Sequence, residues 1–131
     1  KGNYCALSYC WGPKGGKSHM LTTTENVDHH LSNGMEVSRL PKTFQDAVVI
    51  TRELGVRYLW IDALCIIQGD KADWAAESAR MADVYGNAYL VIAASGAADP
   101  CEGSFSRRLP SPVAVEVPIR GDWRAISSCP P

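Results

Sequence analysis

The side chains with the clearest chemical potential are Glu77, Asp62, Cys65 and a glycine–lysine run near the N-terminus. Helical spacing relates Trp74, Glu77/Ser78, Met81 and Tyr85, which sets Glu77 beside a large apolar stripe. A carboxylate in such a place can be desolvated. The same spacing allows an ordinary i, i+3 pair with Arg80 on a wet face, and spacing alone favours that pair. Asp70 and Asp73 are accounted for as a helix cap and a box-like partner three residues on. Capping therefore leaves Glu77 unexplained.

Cys65 invites a nucleophile reading with His19, His29 or His30 as base. Its setting, Ala63-Leu-Cys-Ile-Ile67, instead favours a buried structural cysteine. The run Gly12-Pro-Lys-Gly-Gly-Lys-Ser18 resembles a phosphate loop, but it has one residue too few between Gly12 and the Gly-Lys-Ser end. The segment after it has no helical pattern to hold a phosphate. A basic loop that meets the phosphates of another ligand, through Lys14 and Lys17, is the looser role left to it. No histidines and cysteines combine at zinc spacing, and adjacent His29-His30 cannot both face one ion, so no metal site is expected.

The elements that must position these groups are legible. Tyr4–Tyr9 is a short strand, with Tyr4, Ala6 and Ser8 on one face and Cys5, Leu7 and Tyr9 on the other. Residues 18–39 are polar, with a short strand near Met20–Thr23 and irregular structure after it. Pro41 stops what precedes it, Lys42 or Thr43 opens a helix through Leu54, and Gly55 ends it. Val56–Ile61 reads as a buried strand that ends at Asp62. A second helix covers 71–85, and Tyr89–Ala94 is another central strand. Beyond Ser95 the chain is loop-like, with Val113–Val117 a last strand candidate. The expected core holds Phe44, Val48, Leu59, Ile61, Met81, Leu90 and Ile92.

Strand, helix, strand, helix, strand predicts an α/β domain with a mainly parallel sheet and right-handed crossovers. Ligands in such sheets bind beyond the carboxyl ends of the strands, where strand order reverses. If the first strand and the 57–61 strand are neighbours, Tyr9 to Gly12 and Asp62 to Cys65 line that crevice. Trp11, Trp60 and Trp74 are each simplest as core or rim aromatics, and together could wall an aromatic ligand.

Composition narrows the classes. The 131 residues carry 13 Lys+Arg against 14 Asp+Glu, a net charge of −1, which excludes the clustered basic excess of a nucleic-acid or polybasic membrane binder. With 46% hydrophobic and 21% charged residues it is an ordinary globular domain, a single one at this length. The longest apolar run, Ala88–Ala94, falls far short of the ~20 residues a membrane span needs. Five cysteines, an odd count without a C-x-x-C pair, point to a reducing, cytoplasmic setting. Lys1 is not an initiator Met, so the chain is read as a piece of a larger multidomain protein.

Three blocks carry a resemblance. They are Tyr4-x-Ala-Leu-Ser-Tyr-x-Trp-Gly12; Leu40-Pro-x-Thr-Phe-x-Asp-Ala47 through Leu54-Gly-x-x-Tyr-Leu-Trp-Ile-Asp-x-Leu-Cys-Ile-Ile-Gln68; and Asp73-Trp-x-x-Glu-Ser-x-x-Met81 through Tyr85-x-Asn-Ala88 and Ile92-Ala-Ala94. The chain resembles the fungal heterokaryon-incompatibility (HET) domain over residues 4–108, with Gly69 and Gly103-Ser-Phe105 departing from the pattern. Such domains trigger cell death when genetically different hyphae fuse, and are similar to Toll/interleukin-receptor (TIR) domains. The resemblance implies a flavodoxin-like fold. It implies NAD as substrate rather than cofactor, with the nicotinamide–ribose bond cleaved through a glutamate in a Trp-x-x-Glu stretch. Here that stretch is Trp74-Ala-Ala-Glu77, which makes Glu77 the leading catalytic candidate. Ser8, Tyr9, Trp11, Gly12, Asp62, Cys65 and Trp74 become candidate substrate-binding residues. The other expectation is a non-enzymatic module that signals death by self-association, alongside other domains of its parent. The two differ in whether Glu77 lines an open cleft or faces a partner or solvent.

Overall fold

In the computed structural model the described residues are 2–12 and 20–94, together with the backbone of 116–119 and 122–125. Three strands, β1 (Tyr4–Ser8), β2 (Tyr58–Trp60) and β3 (Leu90–Ala93), form a parallel sheet in the order β2-β1-β3. Parallel pairing demands crossovers, and helices supply them. A short helix α1 (Val27–Asn33), a 3₁₀ turn (Val37–Arg39) and α2 (Lys42–Glu53) lie between β1 and β2; α3 (Asp62–Cys65) and α4 (Lys71–Gly86) lie between β2 and β3. This is an α/β fold of flavodoxin-like order, with β1 central and Tyr4, Cys5 and Ala6 opposite Tyr58, Leu59 and Trp60. A separate antiparallel pair joins β4 (Glu116–Ile119) to β5 (Asp122–Ala125). The expected Val113–Val117 strand thus overlaps β4 at its end, and its first residues lie outside the described ones.

The two faces of β1 follow its period-two pattern. Cys5 and Leu7 are fully buried with Phe44 and Ala47 of α2 and Ile61. On the other face Ala6 is fully buried, and the Tyr4 hydroxyl donates to the Val84 carbonyl of α4 at 2.6 Å. The Trp60 and Tyr85 rings meet edge to face, 5.5 Å apart, on the same side. Helices on both faces explain the continuous burial of Cys5 to Leu7.

Local chemistry sets the element ends. The α2 terminus is a Schellman motif: Val56 N–H donates to the Thr51 carbonyl and Gly55 N–H to Arg52, with Gly55 at φ 67°. That left-handed residue turns the chain straight into β2. At α4 the Asp70 side chain accepts from Ala72 N–H at 2.9 Å and Asp73 N–H at 3.1 Å, a true N-cap. Asp73 does not complete a reciprocal box; its carboxylate accepts from Ile67 N–H at 2.7 Å and pins the loop before the helix. Gly69, at φ 90°, lies in that loop, where an acidic residue would strain the backbone.

Several sequence expectations need correction. Residues 27–33 are helical rather than irregular; α1 buries no side chain and leaves Leu31 exposed, so it has no apolar periodicity to read. The expected strand near Met20–Thr23 reduces to one parallel bridge, Thr23 to Gln68. Leu90 and Val91 are exposed, and only Ile92 of β3 is buried. Among the described residues β3 is an edge strand, paired with β1 alone, so it lacks the cover expected of a central strand. Val48, Leu59 and Met81 are half-buried rather than core. No helix among the described residues is long and apolar enough to cross a membrane.

Candidate functional site

The carboxyl ends of β1 and β2 carry a bonded cluster. Asp62 follows β2 and opens α3, which turns its carboxylate toward the loop after β1. One oxygen accepts from the Trp11 indole N–H at 2.8 Å and the other from Ala63 N–H at 2.6 Å. The Asp62 carboxylate also lies within electrostatic reach of the Tyr9 hydroxyl. Tyr9 stacks on Trp11, with centroids 6.4 Å apart and planes at 11°, and its ring meets Phe44 edge to face at 5.0 Å. Burial pushes the Tyr9 phenol far above its ordinary value, and the nearby Asp62 charge adds to the rise. Tyr85 donates its hydroxyl to the Leu7 carbonyl at 3.2 Å and is raised for the same two reasons, burial first. Chemically this crest is a neutral phenol, an indole and a backbone amide around one carboxylate.

Glu77 stands elsewhere. Tyr58 and Trp60 alternate along β2 to face α4, and Glu77, Arg80 and Val84 share the facing stripe at i, i+3, i+7. Between them lies a cavity of about 370 Å³ lined by Tyr4, Tyr58, Trp60, Glu77, Arg80 and Val84. The Glu77 side chain is 21% exposed, and Arg80 donates to it at 3.2 Å from a side chain that is 68% exposed. The i, i+3 pair that spacing favoured is therefore present, and Glu77 lines an open cavity as well. An ion pair with so exposed a partner holds the carboxylate only loosely.

Cys65, at the end of α3, responds to both groups. The residue is exposed, yet protein packed around the thiol desolvates it and pushes it up. The backbone at Ile61 opposes this rise, and the charges of Asp62 and Glu77 reinforce it. The expected buried structural cysteine is thus not what the structure holds. The thiol is within electrostatic reach of both carboxylates.

The structure brings Tyr9, Trp11 and Asp62 together and leaves Glu77 on the α4 side of the sheet. Ser8 is exposed at the end of β1, and Gly12, at φ 75°, turns the chain after Trp11. Trp74 is 57% exposed and does not line the Glu77 cavity. Lys14, Lys17 and His19 lie outside the described residues. Among the described residues no three His, Cys, Asp or Glu side chains stand together as a metal site would require.

Residues 4–125 match the heterokaryon incompatibility protein (HET) family. The chain belongs to that family. A curated relative, heterokaryon incompatibility protein 6, OR allele, of Neurospora crassa, is 29% identical over 96 residues, which cover 69% of this chain. The chain spans 14% of that protein's length. No solved structure gives a significant match. In this HET domain the first sequence block builds β1 and the crest, the second builds α2, β2 and α3, and the third builds α4 and β3. Tyr4 and Tyr58 were missed as cavity residues. The signal was available in the alternation of Tyr58 with Trp60 opposite the 77, 80, 84 stripe. Pairing β1 with β2 was needed to bring Tyr4 beside them.

Proposed function

We propose that this HET domain serves fungal self/non-self recognition and cell death by cleaving NAD at the nicotinamide–ribose bond, with Glu77 as the catalytic carboxylate. The observation that carries the reading is Glu77 on the wall of an open cavity rimmed by Tyr4, Tyr58 and Trp60. A cavity of this size takes a small ligand or one end of a dinucleotide. Aromatic walls suit a flat pyridinium ring. Arg80, on the same wall, offers a cation to the pyrophosphate. The resemblance to TIR domains, with Glu77 in Trp74-x-x-Glu77, supports the same choice.

Cleavage breaks the bond between the anomeric carbon and the ring nitrogen. The electron pair goes to nitrogen, so nicotinamide departs neutral and needs no general acid, unlike the two-carboxyl glycosidases. Positive charge develops on the ribose, where one carboxylate can stabilise it and orient the hydroxyls. Water then adds to the anomeric carbon and releases a proton. Glu77→Gln keeps shape and removes charge, and should lower NAD turnover by about 10²–10³-fold. Substrate affinity should change less, because ground-state binding rests on the rest of the dinucleotide. Nicotinamide release by the purified domain, dilute and concentrated, is the test. No release in either condition, with Glu77→Gln as lethal in cells as the wild type, would replace this reading.

The replacement is a TIR-like module that signals death by self-association. It is favoured by the exposed apolar surface of Trp74, Tyr89, Leu90 and Val91.

A further inference from the structure

We propose that a second cavity, between α2 and the opposite face of β2, binds a small aliphatic carboxylate. Leu59 and Ile61 alternate with Tyr58 and Trp60, so this cavity opens on the α2 side of the sheet. It measures about 330 Å³, within the range of small-molecule sites. Among the described residues its apolar wall comes from the 35–40 segment, from Val48 of α2 and from the 56–64 segment, and these side chains are aliphatic. Arg52 and Arg57 stand in the lining, and no acidic residue is among the described residues that line it. Neither makes an ion pair among the described residues; the Arg57 guanidinium lies 5.7 Å from the Tyr58 ring centre.

A chamber whose described wall is mainly aliphatic and carries two arginines is complementary to a ligand with an apolar body and an anionic head. The planar guanidinium fork matches a carboxylate with two parallel hydrogen bonds. At a liquid-like share of about 30 Å³ per water-sized group, the cavity accepts a chain of roughly ten carbons. Among the described residues no aromatic ring lines its wall, which favours an aliphatic body over a stacked ring. The site does not depend on the NAD reading, since Glu77 lies on the α4 side of the sheet.

Cys65 also lines this cavity and provides a local reporter. The test uses the full chain with decanoate below its micellar concentration, followed by calorimetry and by site-resolved alkylation. Decanoate should slow Cys65 alkylation at least fivefold and leave Cys10, which is exposed, unchanged. Decanol and decyltrimethylammonium should bind at least tenfold more weakly. The double variant Arg52→Gln/Arg57→Gln should weaken decanoate at least tenfold at an unchanged Tm. The headgroup series on unmutated protein decides the matter even if that variant folds poorly. Absence of both heat and Cys65 protection, equal binding of the cationic amphiphile, or a Cys65 that is already inert without ligand would each overturn the proposal.

Discussion

Two carboxylates, Asp62 at the carboxyl end of β2 and Glu77 on α4, live in contrasting environments. Asp62 is consumed by the protein: an indole and a backbone amide donate to it, and its charge bears on the buried Tyr9 phenol. Glu77 has one exposed arginine and a cavity in front of it. Sequence position alone made Asp62 attractive, because strand ends in α/β folds often carry function. The structure shows its bonding capacity directed inward, where it ties the loop after β1 to the start of α3. A carboxylate that is free to exchange partners is the better candidate for chemistry, and a fully engaged one is the better candidate for stability.

The largest effect tests the floor under the crest. Phe44 is fully buried and meets the Tyr9 ring, so Phe44→Ala should cost about 3–5 kcal/mol. Chemical denaturation that shows less than about 1 kcal/mol would mean that the crest does not rest on this core.

Next comes the direct contrast of the two acids. Asp62→Ala orphans the Trp11 and Ala63 donors, at about 1–3 kcal/mol each before solvent access lessens it. Glu77→Gln removes only a loose pair and should move stability by less than about 1 kcal/mol. Thermal melts of the two variants side by side should separate them clearly. Equal losses would erase the distinction between an engaged and an available carboxylate.

A pH series sharpens the crest further. The Tyr9 phenol is raised in the folded state, so its contribution to stability is fully present below its unfolded value of about 10 and is lost as pH rises above that. Tyr9→Phe should therefore flatten the fall in stability between neutral pH and pH ~11 relative to wild type. An unaltered slope in urea titrations across that window would count against burial as the cause.

The smallest effect reports on the space between the two acids. Because the Cys65 thiol is pushed up, its thiolate fraction at neutral pH is low and its alkylation should be slow for an exposed cysteine. Glu77→Gln removes one of the charges that raise it and should speed the reaction modestly, about twofold. A rate that does not move would place Glu77 beyond the reach of Cys65.

Much of this protein was decided locally. The 42–53 helix, its Gly55 stop, the Asp70 cap and the two faces of 4–9 all follow from spacing, turn chemistry and the period-two rule, and these act over a few residues. The strand–helix alternation likewise implied a parallel sheet. Helix α1 escaped, because it is held by polar bonds around Asn26 rather than by an apolar face. Leu90 and Val91 misled for the opposite reason: their hydrophobicity suited a central strand, but among the described residues strand order places them at an edge. What shares a site was settled only by tertiary structure. Tyr9, Trp11 and Asp62 meet through the pairing of β1 with β2, while Trp74, three residues from Glu77, does not line its cavity. Residues 51 positions apart in the chain are joined by one hydrogen bond at the crest. Local periodicity specifies the face of an element, and only the packing of elements specifies what that face meets.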